Sequence, residues 1–223
     1  MIRSEVFNRD CLEAMKEYPD NYFDLAVVDP PYGIGMGKKK TIGKTGRTYS
    51  TTVYKQSNWD FEIPNHEYFK ELFRVSKNQI IFGGNYFTNH LPPSQGWFVY
   101  DKRQPEGFSM AQAELAFTSF NRSIRMKGFN RALVQNCVSN NKQVALSNAK
   151  IHQCQKPVAL YDWIFKNYAT EGMKILDTHL GSQSSRISAY KYNMDFTGYE
   201  LDPDYFEQGC KRFEDFKSQL TLF

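Results

Sequence analysis

The chain has 223 residues, of which 41% are hydrophobic and 16% aromatic, and a net charge of +4. This length provides one sizeable core and is too short for two independent ones, so we expect a single domain over residues 1–223. No apolar run approaches the roughly 20 residues of a membrane span, and the N-terminus lacks a signal-peptide pattern. The four cysteines lack metal-ligand spacing, which predicts a cytoplasmic protein without a metal site.

The first predicted strand, Ser4–Phe7, is followed by Asp10 and an amphipathic stretch, Leu12–Tyr18. An acid between a strand and a helix is typical of a helix N-cap.

The second predicted strand delivers an acid and an aromatic ring on a rigid turn. Its apolar run ends in Asp29, Pro30, Pro31 and Tyr32. The prolines stop the strand and fix the backbone, and ligands bind at the carboxyl ends of strands in open α/β sheets. A tyrosine can stack on a planar base, while a carboxylate accepts a hydrogen bond from an amino group. The turn therefore suits chemistry on an amine-bearing ring, although a simple strand-end turn is the plainer alternative.

Residues 33–58 are rich in glycine and lysine and are predicted to be a mobile basic loop. Such a loop beside the turn suits phosphate binding, since charge gives affinity without reading sequence. The alternative is a solvated charged loop. The candidate DNA contacts here are Lys38, Lys39, Lys40, Lys44 and Arg47.

A helix is predicted over Asn65–Val75, then strands at Gln79–Phe82, Gly96–Lys102 and Ala113–Thr118, with the last two pairing antiparallel. Apolar periodicity fades over residues 121–151, where basic side chains lie among Asn and Gln, residues that contact phosphates and adenine edges. A long surface loop is the alternative. The candidate DNA contacts in this segment are Arg122, Arg125, Lys127 and Arg131.

The final third of the chain has the pattern of a ligand-binding turn between a strand and a helix. A helix from Gln155 to Tyr168 precedes strand Lys174–Asp177, a small-residue turn over residues 178–185, and strand Asp195–Glu200. An acid at the end of the second strand, roughly 20 residues after the turn, binds ribose hydroxyls in doubly wound folds. Glu200 occupies that position, and Asp202-Pro203 begins the last helix.

Together these motifs resemble the S-adenosylmethionine-dependent DNA amino-methyltransferases. Asp29-Pro30-Pro31-Tyr32 matches their catalytic motif, most typically that of N6-adenine enzymes, and Lys156-Pro157 resembles the segment upstream of their cofactor turn. The order of motifs is similar to the circularly permuted β-type, which implies a Rossmann-like α/β fold with a mostly parallel sheet of seven strands, helices on both faces, and residues 121–151 as a small target-recognition segment.

The resemblance implies S-adenosylmethionine as cofactor and DNA as partner, with adenine N6 methylated after base flipping. Asp10 would accept a hydrogen bond from the cofactor's adenine. The implied cofactor-binding residues are Asp10, Cys11, Asp29, Lys156, Asp177, His179, Gly181, Ser182, Ser184, Ser185, Glu200 and Leu201.

One position departs from the family pattern, which usually has Gly-x-Gly where this chain has Gly181-Ser182-Gln183. A positive φ at Gln183 would cost about 1–2 kcal/mol, equivalent to roughly tenfold in cofactor affinity. One alternative is therefore a DNA-binding relative weakened by Gln183. Another is a cytosine-N4 methyltransferase, because the exocyclic amine of cytosine presents the same chemical problem. A homodimer is compatible with the short recognition segment.

Overall fold

The computed structural model describes residues 2–35, 60–104, 106, 111–129, 151 and 154–220. They form one α/β sheet structure. The strands are β1 (Ser4–Asn8), β2 (Leu25–Val28), β3 (Gln79–Phe82), β4 (Trp97–Asp101), β5 (Ala113–Thr118), β6 (Arg125–Gly128), β7 (Lys174–Asp177) and β8 (Asp195–Glu200). The helices are α1 (Cys11–Met15), α2 (His66–Val75), α3 (Val158–Tyr168), α4 (Ser184–Lys191) and α5 (Pro203–Leu220), with a 3-10 turn at Gly84–Tyr86.

The sheet has the order β1-β8-β7-β2-β3-β5-β4-β6. The first five strands in this order are parallel, and β5 is antiparallel to both β3 and β4. The predicted antiparallel pairing of β4 with β5 is therefore confirmed. Strand β6 pairs parallel with β4 at the edge, so the described part of the chain has eight strands where the sequence indicated seven.

Strand β6 lies where apolar periodicity fades in the sequence, and it was not among the predicted strands. Three of the four β6 residues are exposed, so the strand lacks the apolar alternation from which strands are predicted. Backbone pairing at the edge of β4 orders it instead.

The sheet is buried on both faces, as the apolar runs predict for parallel strands. Leu25 and Val27 of β2 face a core cluster built with α3, while Ala26 and Val28 face one built with α1 and α2. Helix α5 packs against α4 through a third, smaller cluster that includes Phe213.

Because β1, β8, β7, β2 and β3 are parallel, their carboxyl ends lie at one edge of the sheet. Asn8 is opposite Glu200, and Asp177 is opposite Gly198. Asp10 caps α1 as predicted, accepting hydrogen bonds from the amides of Leu12 and Glu13. The helix ends at Met15, sooner than the expected Tyr18.

None of the described helices is long and apolar enough to cross a membrane. Most of the predicted basic loop and part of the predicted recognition segment lie outside the described residues. So do the candidate DNA contacts Lys38, Lys39, Lys40, Lys44, Arg47 and Arg131.

Candidate active site

The turn after β2 is held by hydrogen bonds to buried Asp60. The backbone amides of Tyr32 and Gly33 donate to Asp60 Oδ1 at 2.7 and 3.0 Å, and the Gly35 amide donates to the Asp60 carbonyl at 2.9 Å. Within the turn, Tyr32 OH donates to Asp29 Oδ1 at 2.6 Å. The acid and the ring predicted on this turn are therefore in direct contact, and their backbone is fixed. Asp60 was not among the predicted site residues.

The Tyr32 ring has one exposed and one buried aromatic neighbour. Tyr86 stacks on it with a centroid separation of 5.0 Å and an interplanar angle of 14°, and Phe87 meets it edge-on at 6.1 Å. Gly83 has φ +70°, and a Cβ at that position would lie 2.6 Å from Tyr32 Cδ1. The ring therefore lies where only a glycine leaves room for it.

A lysine–carboxylate cluster, formed by Asp29, Lys102, Glu114 and Lys156, lies beneath the turn. Lys156 Nζ forms an ion pair with Asp29 Oδ2 and lies 3.3 Å from both Glu114 Oε2 and Tyr32 OH. Lys102 Nζ binds the other oxygen, Glu114 Oε1, at 2.6 Å. The Lys156 side chain is only 6% exposed and that of Lys102 8%, so these charges neutralise one another away from water.

The pKa values in this cluster reflect burial and mutual attraction. Burial raises the pKa of Asp29, against the attraction of the Lys156 ammonium. For Glu114, burial acts upward, but Lys156 and Lys102 outweigh it and lower the pKa to about 2. For Lys156, burial acts downward, but Asp29 and Glu114 outweigh it and raise the pKa above its ordinary value. The raised pKa of Lys156 and the lowered pKa of Glu114 both favour the charged forms of these two groups.

A second group of acids lies at the carboxyl ends of β7 and β8. Asp177 accepts hydrogen bonds from the His179 amide at 3.0 Å and from Ser185 Oγ. Glu200 accepts them from the amides of Gly181 at 2.7 Å and Asp202 at 2.9 Å. Burial raises the pKa of Asp177 to about 7 and also raises that of Glu200. Both acids therefore shape the predicted turn over residues 178–185.

Three further side chains connect this turn to α2. Tyr68 OH lies 2.7 Å from Thr178 Oγ1, which is 2.9 Å from His179 Nδ1. Burial lowers the pKa of His179 to about 4, so the imidazole is neutral near pH 7. Burial likewise raises the pKa of the Cys11 thiol to about 12, which keeps it protonated. This turn therefore holds a neutral imidazole and a neutral thiol near buried acids.

Comparison with known proteins fits this geometry. The sequence pattern of a family described as DNA methylase (N6_N4_Mtase) matches residues 88–211, more than half of the chain. The chain belongs to this DNA methylase family. The match includes Glu114, Lys156, Asp177 and Glu200, and begins after the Asp29 turn.

Among curated proteins, the Type II methyltransferase M.HpaI of Haemophilus parainfluenzae is 23% identical over 92% of this chain and 72% of its own length. Among solved structures, the cytosine-N4-specific PvuII DNA methyltransferase has a TM-score of 0.62 at 11% identity, covering 97% of this chain and 92% of that one. The M1.HpyAVI–SAM complex has a TM-score of 0.57 at 14% identity, covering 95% and 98%. These structures share the fold of this methylase.

Gln183 adopts the positive φ that the sequence raised as a possibility, at φ 57°. Its side chain is fully buried and points towards α5, where Nε2 lies 3.4 Å from both the Phe206 carbonyl and Cys210 Sγ. Arg186 Nη1 donates to its Oε1 at 2.9 Å. Gln183 stands where the family pattern has its second glycine. Its side chain packs against Gly209, where an added Cβ would collide with it.

The remaining predicted residues divide between two places. Lys156 joins Asp29, whereas Asp10, Asp177 and Glu200 lie at the ends of β1, β7 and β8. Ser182 and Ser184 are buried with their hydroxyls 3.1 Å apart, and Leu201 is 69% exposed.

Of the predicted DNA contacts, Arg122 before β6 and Arg125 within it contact Asn167 of α3. Arg122 Nη1 donates to the Asn167 carbonyl at 2.8 Å, and Arg125 Nη2 donates to Asn167 Oδ1 at 3.4 Å. Asn167 lies near the end of α3, whose start adjoins Lys156, and the 11 residues of this helix span about 16 Å. Lys127 lies further along β6, with its ammonium 5.8 Å from the centre of the Phe129 ring.

Proposed function

We propose that this protein transfers the methyl group of S-adenosylmethionine to the N6 amino group of an adenine in DNA. The observation that carries the proposal is the contact between Asp29 and Tyr32 on a turn fixed at the carboxyl edge of the sheet. Membership of the DNA methylase family supports the reaction class.

The acids at the ends of β1, β7 and β8 suit the cofactor. Asp10 would accept a hydrogen bond from its adenine, and Glu200 would accept them from its ribose hydroxyls. Each carboxylate already holds backbone amides in place and has further lone pairs available. When bound, the cofactor supplies an electrophilic methyl group. Asp177 and His179 would line the same cradle.

On the DNA side, the base would leave the duplex at a stacking cost of a few kcal/mol. The ring of Tyr32 would then stack on the base through the face that Tyr86 does not cover. Asp29 and the Pro30 carbonyl would accept the two amino hydrogens. This arrangement turns the nitrogen lone pair towards the methyl group, so that alignment and electrostatics supply the rate.

Cytosine N4 is the second candidate substrate. Its exocyclic amine presents the same two hydrogens, and the structurally similar PvuII enzyme is cytosine-N4-specific. The Asp-Pro-Pro-Tyr motif favours adenine. The third alternative, a weakened DNA-binding relative, relied on Gln183 disturbing the cofactor turn. The packing of that side chain against α5 argues for an active enzyme.

The strand order also supports the β-type permuted arrangement. The catalytic turn follows an early strand, β2, while the proposed cofactor turn follows β7, its neighbour in the sheet. We place the target-recognition segment between them, at residues 121–151, and the phosphate-binding loop at 33–58, within a single domain. Lys127 is the described β6 residue that best fits a DNA contact.

The test is methylation of DNA by the purified protein, read as methylated nucleosides by mass spectrometry. We expect N6-methyladenine, and none from Asp29→Ala, with the affinity for S-adenosylmethionine kept within about threefold, or 0.7 kcal/mol. N4-methylcytosine would select the second candidate. Loss of cofactor binding in Asp29→Ala would show that the Asp29 turn belongs to the cofactor site.

A further inference from the structure

The lysine–carboxylate cluster extends beyond the residues that the proposed reaction uses. Glu114 belongs to β5 and Lys102 directly follows β4, so neither lies on the catalytic turn. Lys102 contacts Glu114 Oε1, and Lys156 lies between Glu114 and Asp29. We infer that Glu114 and Lys102 are positioning residues, which act through Lys156 to keep the Asp29 carboxylate ionised and correctly aimed.

The argument depends on the balance of charge in a buried site. The cluster holds two ammonium groups and two carboxylates, so it is neutral as a whole. Lys156 is shared between Asp29 and Glu114, whereas the ion-pair partner of Lys102 among the described residues is Glu114. Without Lys102, Glu114 would compete with Asp29 for the single remaining ammonium. Without Glu114, Lys156 would serve Asp29 alone.

Ionised Asp29 matters because a carboxylate accepts hydrogen bonds from an amino group with both oxygens, whereas a carboxylic acid uses one oxygen as a donor. In this respect the inference rests on the proposed function. Burial favours the protonated acid, and the lysines oppose that tendency. Lysines on the protein surface, far from Asp29, could not oppose its protonation in this way, because surface charges are screened by water and salt.

Several other titratable groups also face Asp29. Tyr32 donates to it from the same turn. Tyr68 of α2, Tyr161 of α3 and Asp177 of β7 are near enough to interact with its charge. The tyrosines have raised pKa values and remain neutral below pH 10. Asp177 has a pKa near 7 and adds a negative charge at higher pH, so its effect must be separated from that of the cluster.

The experiment compares two substitutions that remove opposite charges from the cluster. Lys102→Met leaves excess negative charge, and we expect the acidic limb of the kcat/KM profile for methyl transfer to move up by about 1 pH unit. Glu114→Gln leaves excess positive charge, and the limb should move down by about the same amount. The double variant restores neutrality, so its limb should return to the wild-type position. Opposite shifts that cancel are not produced by general loss of structure.

A second readout does not depend on turnover. The carboxyl carbon of Asp29, in protein labelled with 13C-aspartate and assigned with Asp29→Asn, should titrate with the same opposite shifts. If no DNA is methylated but these shifts occur, the proposed function fails, whereas the inference that Glu114 and Lys102 act on Asp29 through Lys156 stands. The same substitutions made in the Asp177→Asn variant, which lacks the Asp177 charge, should give the same shifts.

The matched control is Lys77→Met. Lys77 Nζ pairs with Asp24 Oδ1 at 2.7 Å at the other end of β2, so this variant removes a lysine–aspartate ion pair, more exposed than that of Lys102, far from Asp29. We expect Lys77→Met to leave the acidic limb of the kcat/KM profile in place. The inference is overturned if Lys102→Met and Glu114→Gln shift the Asp29 titration in the same direction or not at all. It is also overturned if the double variant fails to restore it.

Discussion

A methyl group added at Gly83 should disable the proposed catalytic turn without touching the proposed cofactor residues. The Cβ of Gly83→Ala would lie 2.6 Å from Tyr32 Cδ1, whereas ordinary contacts of a Cβ begin at 3.4 Å. The ring must therefore move by roughly 1 Å, and such a misplacement costs about 100-fold in rate. The positive φ adds about 1–2 kcal/mol of strain.

Gly172→Ala is the matched control, because Gly172 has φ +79° and nothing within 4 Å of an added Cβ. It should share the loss of stability, measured by urea unfolding, and keep full methyl transfer. For Gly83→Ala we expect kcat to fall about 100-fold, with calorimetric affinity for S-adenosylmethionine unchanged. A folded Gly83→Ala protein with kcat within threefold of wild type would refute the role assigned to the Tyr32 ring.

Three further predictions concern the cofactor side. Burial raises the pKa of Asp177 from 3.8 to about 7, so its folded form is favoured when protonated and loses stability as pH rises. Relative to Asp177→Asn, the unfolding free energy of the wild type should fall by about 3 kcal/mol between pH 5 and pH 8 in urea titrations; equal pH dependence would contradict this. Gln183→Gly relieves the positive φ but removes the buried Gln183 Oε1 acceptor of Arg186 Nη1, while Ser4 still accepts from the rest of the guanidinium. Stability should therefore fall by about 1–3 kcal/mol while calorimetry shows unchanged cofactor affinity; a large gain in affinity would revive the weakened-relative interpretation. Asp10→Ala and Asn65→Ala each remove an N-cap worth about 1 kcal/mol, but only Asp10→Ala should weaken S-adenosylmethionine binding, and equal affinities would leave Asp10 as a cap alone.

Features determined by local sequence were predictable. The continuous apolar run and the two prolines placed Asp29 at the end of a buried strand, and the structure has Leu25–Val28 as that strand. The cap at Asp10 and the positive φ at Gln183 follow from single positions in the chain. Local rules decide such features because the residues that interact are neighbours in sequence.

Features that depend on distant partners were missed. In the sequence, Glu114 looks like an ordinary polar residue within a strand, and Lys102 looks like an ordinary residue at the end of a strand. Only the antiparallel pairing of β4 with β5 and the start of α3 bring them to Asp29. A charged residue within an apolar strand was the available signal for Glu114. The sequence carried no comparable signal for Gly83, whose role depends on where the Tyr32 ring lies.

The bond between Gly35 and Asp60 has a consequence for engineering. These two residues are joined at 2.9 Å through the Gly35 amide and the Asp60 carbonyl, and they flank residues 36–59 in the sequence. An insertion point whose two ends already meet can accept segments of other lengths, since doubling a loop adds only about 0.6 kcal/mol in closure entropy. Segments exchanged between relatives here should leave the Asp29 turn in register, which makes this position a graft site for replacing residues 36–59.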